Sequence, residues 1–254
     1  MNQAYDNTFF DWVDLTAVRS ANSLVPVVMG LVGPTSVIDV GCGSGAWLGV
    51  WSSHGVARIK GLDGSHVDPG RLSIREDQFE SVDLTTAWSF AGHYDLAQCL
   101  EVAEHLPDAA GHHLVAQLCR LADVVLFSAA SPGQGGELHV NEQPLSYWVR
   151  LFSGHGFAAY DCVRPQLAPH RSIDPWYRYN TILYANAAGA QQLAPAALAA
   201  RVTDPSRLEN GGDLAWRMRK AVLRPLPVAV VTALSRLRYR TVMRTVNLAG
   251  KTNA

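Results

Sequence analysis

Three glycines alternate in a short stretch that directly follows an apolar run. The run 37–40 leads into Gly41, Gly43 and Gly45, and apolar residues then recur at helical spacing from position 47. Glycine has no Cβ atom, so the backbone there can turn sharply and lie flat against a ligand. A helix that begins at the turn also offers unpaired amide groups to a polar part of that ligand. The stretch therefore predicts a strand, a tight turn and a helix built around a bound small molecule.

Two acids flank this turn in the sequence. Asp39 lies two residues before the first glycine, and Asp63 ends the next predicted strand. The spacing Gly41-x-Gly43-x-x-Ala46 also fits a dinucleotide fingerprint, which alone is a weak match. An acid at 39 would repel a pyrophosphate but suits the cationic amino end of S-adenosyl-L-methionine (SAM), and Asp63 can accept hydrogen bonds from ribose hydroxyls. A NAD-binding oxidoreductase is the rival interpretation, and Asp39 counts against it.

At these residues the chain resembles the class I SAM-dependent methyltransferases. The segment Glu101-x-x-Glu104-His105-Leu106 strengthens this, because it is similar to the loop after the fourth strand of small-molecule methyltransferases. The resemblance implies SAM as the cofactor, S-adenosyl-L-homocysteine as its product, and an acid after the third strand that accepts from the adenine amino group. Glu104 is expected to brace its loop. The implied cofactor contacts are Asp39, Gly41, Cys42, Gly43, Gly45, Asp63, Gly64, Asp83, Leu84, Leu100, Glu101 and His105.

A loop expected after the fifth strand is dense in polar and aromatic residues. Turn formation explains its glycines, and a helix cap near Pro144 explains part of the rest. The run His-x-Asn-Glu-Gln-x-x-x-Tyr-Trp from His139 onward resembles bacterial, more narrowly actinobacterial, sugar O-methyltransferases of polysaccharide and natural-product pathways. The connection 164–180 is long for a structureless loop, and its aromatic residues suit a sugar or self-association. The expected substrate contacts are Asn141, Gln143, Tyr147, Trp148, Trp176 and Tyr177.

Methylation of a hydroxyl requires a base, because a neutral hydroxyl is a poor nucleophile. His139 is the expected base, since the unperturbed pKa of histidine lies near neutrality. His105 is the second candidate, and it either lines the methyl-transfer site or braces its loop. Glu142 can orient the histidine, bind a sugar hydroxyl or, with His139, ligate a divalent cation such as Mg²⁺. One histidine and one carboxylate are too few ligands to assign a metal site.

Composition limits the remaining interpretations. The 254 residues are 48% hydrophobic with a formal net charge of -1, so the chain as a whole gives no field that gathers nucleic acid. No signal peptide and no apolar run of membrane-spanning length is visible. The separated cysteines (Cys42, Cys99, Cys119 and Cys162) are expected to be reduced, which predicts a cytoplasmic protein.

Alternating strand and helix patterns predict an α/β fold, a doubly wound seven-stranded and mostly parallel sheet whose last strand is antiparallel. We expect an N-terminal helical lid over 1–35, or else simple aromatic packing there, a SAM-binding domain over 36–190, and a basic helical extension over 191–254. The last 41 residues hold nine of the 21 Lys and Arg residues and no acid. This tail suits an anionic lipid surface, a homodimer arm or a solvated segment. Strands are expected near 36–40, 58–62, 79–83, 94–99, 123–128, 157–163 and 180–185, and helices near 25–31, 45–54, 108–121 and 144–153.

The sequence thus predicts a SAM-dependent O-methyltransferase that acts on a small polar acceptor, foremost a carbohydrate. The alternatives are a methyltransferase for a polyketide or amine, an NAD-binding oxidoreductase, and a non-catalytic SAM-binding protein. Nucleic acid is not the expected partner, because no Asn/Asp-Pro-Pro-Tyr/Phe motif follows the fourth strand.

Overall fold

A seven-stranded sheet forms the centre of the chain in a computed structural model, which describes residues 7–227 and 229–234. The strand order is β3-β2-β1-β4-β5-β7-β6, and β7 runs antiparallel to both neighbours while the other pairs are parallel. This confirms the predicted fold class. The strands are Ser36–Val40 (β1), Arg58–Asp63 (β2), Phe79–Ser81 (β3), Leu96–Leu100 (β4), Val124–Ser128 (β5), Ala158–Tyr160 (β6) and Ile182–Ala185 (β7).

The two strands at the sheet edges are shorter than predicted. β3 and β6 have three residues each, whereas the sequence predicted strands near 79–83 and 157–163. An edge strand pairs on one side only, so fewer hydrogen bonds hold its ends in the sheet. The consequence for the site is that Asp83 lies two residues beyond β3, in the loop that follows it.

Helices cover both faces of the sheet. The predicted helices near 45–54, 108–121 and 144–153 are confirmed as α2, α3 and α4. The first helix is much longer than predicted and runs through Pro26. The connection 164–180 contains two short helices, each with a proline in its first turn, where proline is tolerated. The helices are Asn7–Leu31 (α1), Ala46–Ser53 (α2), Asp108–Leu121 (α3), Leu145–Gly154 (α4), Arg164–Leu167 (α5), Pro175–Asn180 (α6), Ala187–Ala190 (α7), Pro195–Ala199 (α8) and Leu214–Leu223 (α9).

The apolar core has two layers, one on each face of the sheet. Leu24 of α1 and Trp51 of α2 are fully buried on one face. Leu114 of α3 and Phe152 of α4 are fully buried on the other. Both layers end at the carboxyl edge of the parallel strands, which is where ligands bind in open α/β sheets.

The predicted basic tail is described only in part. α9 and the helical segment 229–234 belong to it. Five of its nine basic residues lie outside the described residues, so the expected tail helix is tested only up to 234. Among the helices that the structure describes, none is long and apolar enough to cross a membrane. The five undescribed residues are Arg236, Arg238, Arg240, Arg244 and Lys251.

Candidate active site

The glycine turn joins β1 to α2 with three left-handed residues. Gly41, Gly43 and Gly45 have φ values of 81°, 55° and 80°, a region that residues with a side chain rarely occupy. A Cβ atom at Gly41 would collide with the side chain of Val102, whereas one at Gly43 would meet no atom of the described residues within 4 Å. The turn therefore packs tightly against the protein at Gly41 and leaves open space above Gly43.

Two buried acids lie beside this turn, as the sequence predicted. Asp63 accepts hydrogen bonds from the amides of Gly43 and Gly64, each at 2.6 Å. Asp39 is 2% exposed, and burial raises its pKa to about 8, with Gln98 opposing the shift and the nearby Asp63 adding to it. Asp39 forms no ion pair with any residue that the structure describes. A buried carboxylate without a cation partner suits a positively charged ligand.

Four other expected cofactor contacts differ in their surroundings. Leu84 and Leu100 are both buried. Leu100 ends β4, whereas Leu84 lies in the loop that follows β3. Asp83 is exposed and accepts hydrogen bonds from the amide and hydroxyl of Thr85, which lower its pKa. Cys42 is buried, and burial raises the pKa of its thiol, so it remains protonated at neutral pH.

A buried polar chain extends from Glu101 to α6. Glu101 is left-handed, with φ 57°. Its carboxylate accepts a hydrogen bond from Gln134 at 2.7 Å, and the Gln134 amide oxygen accepts one from Asn180 at 2.6 Å. Burial raises the pKa of Glu101, although the Gln134 hydrogen bond opposes the shift. The sequence analysis missed Gln134 and Asn180. Gln134 lies in the loop after β5 and Asn180 lies just before β7, and these positions could have marked them as candidates.

His139 and Glu142 form a hydrogen-bonded pair in the loop after β5. The His139 Nδ1 atom is 2.9 Å from a Glu142 oxygen, and the same carboxylate accepts hydrogen bonds from the amides of Gly133 and Gly135, both at 2.9 Å. Burial raises the pKa of Glu142, but the His139 and amide hydrogen bonds outweigh this and lower it overall. The ionised Glu142 thus accepts the Nδ1 proton and leaves the lone pair on Nε2. Leu138 before this pair is also left-handed, with φ 61°, and such strain is common at functional sites.

Glu104, His105 and His139 converge, and one ligand atom from each lies within 4.8 Å of the others. The two imidazole rings stand perpendicular with centroids 4.9 Å apart. Glu104 is fully buried, and its carboxylate oxygens have no hydrogen-bond partner within the described part of the chain. Burial raises the pKa of Glu104, and the neighbouring Glu101 raises it further. One carboxylate and two imidazoles form a donor set that suits a transition metal ion.

This cluster changes the expected metal ligands. The sequence suggested His139 with Glu142, but both Glu142 oxygens already accept hydrogen bonds. Glu104, which was expected to brace its loop, does so through its backbone, since its carbonyl accepts from the amides of Val140 and Asn141. Its side chain is left for another role. His105 as a whole residue is exposed at the surface. Its ring is nevertheless partly buried, and this burial together with the nearby His139 lowers its pKa.

Two of the expected substrate contacts, Trp148 and Tyr147, contact other parts of the protein. Trp148 is 0% exposed and packs 5.1 Å from Phe127, so the prediction that it contacts substrate is wrong: it is a core residue. Tyr147 donates its hydroxyl proton to Asp108 on α3. Both aromatic residues belong to α4, and the packing of this helix on the sheet and on α3 explains their positions.

The remaining expected contacts divide between packing and cavity lining. Asn141 is buried and accepts a hydrogen bond from Gln143 at 3.0 Å. Tyr177 packs edge-on against Trp47 at 5.0 Å, which brings α6 next to the glycine-turn helix. Trp176 is half-buried and lines a cavity of about 220 Å³ beside Gln134 and α9.

The fold agrees with what comparison with known proteins shows. Residues 17–159 match the family model described as a methyltransferase domain. The match covers more than half of the chain, and it includes the glycine turn, the Glu101–His105 loop and the His139–Glu142 pair. The chain belongs to this methyltransferase family.

Individual relatives are more distant. The chain is 29% identical over 150 residues to a ubiquinone biosynthesis O-methyltransferase of Psychrobacter cryohalolentis, a match that covers 54% of each chain. The chain thus spans about half the length of the curated relatives it matches. An O-methyltransferase family protein from Burkholderia thailandensis has a similar fold, with a TM-score of 0.51 and 16% identity over 72% of this chain and 61% of that one. A chain in the complex of Haloferax volcanii Trm112 with a methyltransferase gives a TM-score of 0.50 and 18% identity, over 71% and 97%.

Proposed function

We propose that this chain binds SAM and transfers its methyl group to a hydroxyl of a small polar acceptor. The observation that carries the proposal is the buried Asp39 carboxylate, which has no cation partner among the described residues and lies beside a glycine turn with open space above Gly43. SAM carries a methyl group on a positively charged sulfur and an ammonium group at its amino acid end. Asp39 and Glu101 would hold the cationic part, and Asp63 the ribose hydroxyls. Asp83 and Leu84 are the proposed adenine contacts.

His139 would remove the proton from the acceptor hydroxyl. Glu142 fixes the ring and directs the Nε2 lone pair away from itself, which is the arrangement that a general base requires. The curated relatives are named as O-methyltransferases, which supports oxygen as the methylated atom. His105 is the proposed second base, because its ring faces that of His139.

A divalent cation held by Glu104, His105 and His139 is the second candidate for activating the hydroxyl. The buried Glu104 carboxylate supports it, because neither oxygen has a hydrogen-bond partner among the described residues. A bound cation of this kind lowers the pKa of a coordinated hydroxyl. The imidazole donors favour Zn²⁺ over Mg²⁺. The His139 Nε2 atom cannot serve as base and ligand at once, so the two candidates exclude each other at that residue.

The acceptor class is a finer proposal. We propose a carbohydrate, because half-buried Trp176 and the polar Gln134 line one cavity near the site, and aromatic faces with polar edges suit polyhydroxylated ligands. Methylation of a polyketide or an amine is the alternative. Incubation with SAM and a panel of saccharides, catechols and amines, followed by mass spectrometry, tests this. A gain of one methyl on a saccharide supports the proposal, and methylation confined to amines contradicts it.

The organisation of the chain is also proposed. Ser44 in the glycine turn donates a hydrogen bond to Asp14 of α1 at 2.7 Å, which supports 1–35 as a lid over a SAM-binding domain of 36–190. The basic extension 191–254 would serve as an assembly arm. Light scattering of the full chain tests the latter, since a monomeric mass contradicts a homodimer.

A further inference from the structure

Two cavities adjoin beneath α9. The first, of about 280 Å³, contains His139 and Glu142, and its wall includes Arg224 from the residues that follow α9. The second, of about 330 Å³, is lined by the cationic side chains of Arg217, Lys220 and Arg224. Pro132 and Arg224 line both, so the two cavities are neighbours.

The wall of these cavities is formed by close contact between α9 and the loop after β5. A Cβ atom at Gly133 would collide with the backbone carbonyl of Lys220, and one at Gly135 would lie 2.6 Å from Val231. The Arg219 guanidinium donates two hydrogen bonds to the backbone oxygen of Gln134, at 2.9 and 3.2 Å. The two glycines thus allow the helix to lie directly on the loop that positions His139.

The second cavity has an excess of positive charge. Its three cationic side chains face one carboxylate among the residues that line it, Glu209, and that carboxylate accepts a hydrogen bond from the Ser146 amide. The Lys220 ammonium is half-buried, 3.5 Å from the Ser131 hydroxyl. Burial lowers the pKa of Lys220, Glu209 opposes this, and the nearby Arg164, Arg224 and Arg217 lower it further. A bound anion would relieve both the repulsion and the desolvation of the ammonium group.

We propose that the second cavity binds a phosphate-type anion that belongs to the methyl acceptor, and that the acceptor hydroxyl reaches His139 in the first cavity. The acceptor is then a hydroxylated molecule with an anionic group, such as a sugar phosphate or the headgroup of an anionic lipid. This inference rests on the proposed function, because the anion is assigned to the acceptor. Lys220 and Arg224 would determine specificity without taking part in the proton transfer.

Calorimetric titration of the full chain with inorganic phosphate and pyrophosphate tests the site. We expect saturable binding that weakens about tenfold in Lys220→Met and in Arg224→Gln, since each loses one charge-assisted hydrogen bond to the anion. Arg120→Gln is the matched control, because this exposed arginine lies in the last turn of α3 and does not line the second cavity. Arg224 is exposed, so Arg224→Gln tests the proposal even if Lys220→Met fails to fold.

Sedimentation with vesicles of phosphatidylglycerol or of phosphatidylcholine separates the two sources of the anion. Binding of inorganic phosphate that the variants lose supports a soluble phosphorylated acceptor. Binding to anionic vesicles alone, lost in the same variants, supports a lipid headgroup. Absence of both, or equal binding by all variants, overturns the proposal. Titration of the wild type with SAM in parallel distinguishes failure of this proposal from failure of the proposed function. A wild type that binds phosphate but not SAM contradicts the proposed methyltransferase activity and leaves the anion site intact.

Discussion

The His139 Nδ1 atom lies 2.9 Å from a carboxylate oxygen of Glu142, and the backbone amides of the same loop hold that carboxylate in place. The pair therefore has a fixed orientation before any ligand binds. Its neighbour across the cluster is the buried Glu104, whose carboxylate has no hydrogen-bond partner among the described residues. His139, Glu142 and Glu104 are therefore the residues whose substitution tests the proposed chemistry.

We expect His139→Ala to lower kcat by about two to four orders of magnitude, the usual contribution of a positioned base. SAM affinity should change little, because the cofactor contacts lie on other elements. His105→Ala is the control, and a smaller loss accompanied by weaker SAM binding would show that His105 braces its loop. An unchanged kcat in His139→Ala, with chemistry rate-limiting, contradicts the assignment and makes His105 the base to test.

Glu142→Gln should lower kcat by about tenfold to a hundredfold, as is usual when the partner that orients a functional imidazole is lost. The variant keeps the size of the side chain but loses the charge that accepts the Nδ1 proton. Steady-state kinetics measures the effect. An unchanged kcat would mean that the ring is held by other contacts, such as its packing against Gly136.

Metal binding should raise the melting temperature, because a ligand that binds only the folded state stabilises it. If Glu104, His105 and His139 hold a cation, Zn²⁺ will raise the melting temperature of the wild type but not that of Glu104→Gln. If His139 is the base instead, neither protein will respond. The exposed Glu76→Gln is the matched control. Full activity in EDTA together with no thermal shift excludes the metal and leaves His139 as the base.

Gly43→Ala and Gly41→Ala should separate ligand binding from stability. At Gly43 a methyl group meets no atom within 4 Å in the described part of the chain. We therefore expect a loss of about 1–2 kcal/mol from the left-handed backbone together with a large loss of SAM affinity. Gly41→Ala should destabilise the protein more, because its methyl group collides with Val102. Denaturant unfolding and SAM titration measure the two effects. Wild-type SAM affinity in Gly43→Ala would show that the turn does not approach the ligand.

Asp39 should make the ligand-free protein less stable as pH rises. Its folded-state pKa of about 8 exceeds the value of about 3.9 in an unfolded chain. Between these values the folded protein keeps a proton that the unfolded chain has lost, so the free energy of unfolding falls by up to about 1.4 kcal/mol per pH unit. Asp39→Asn removes this slope. Thermal unfolding between pH 5 and 8 should show the variant gaining relative stability, and a constant difference would contradict the shift.

The sequence was sufficient to predict the sheet and the cofactor turn, because local patterns specify both. Buried parallel strands are mainly apolar runs, and the glycines and acids of the turn lie within a few residues of strand ends. The lengths of β3 and β6 were overestimated, since an edge position depends on the arrangement of the whole sheet. The extent of α1 was missed because Pro26 normally interrupts a helix.

The rest of the site depends on contacts between distant parts of the chain. Glu101, Gln134 and Asn180 meet through side chains 33 and 46 residues apart, which no local pattern specifies. Trp148 follows a polar loop in sequence, yet the packing of α4 places it in the core. Arg224 reaches the cavity of His139 only because α9 lies on the loop after β5. Long-range packing of this kind is visible only in the folded structure.

The most direct test of the central claim is calorimetric titration of the purified protein with SAM, S-adenosyl-L-homocysteine and NAD. We expect saturable binding of the first two, no binding of NAD, and SAM affinity about tenfold to a hundredfold lower in Asp39→Asn, which loses a charged hydrogen-bond acceptor. Saturable binding of NAD without any response to SAM would contradict the account.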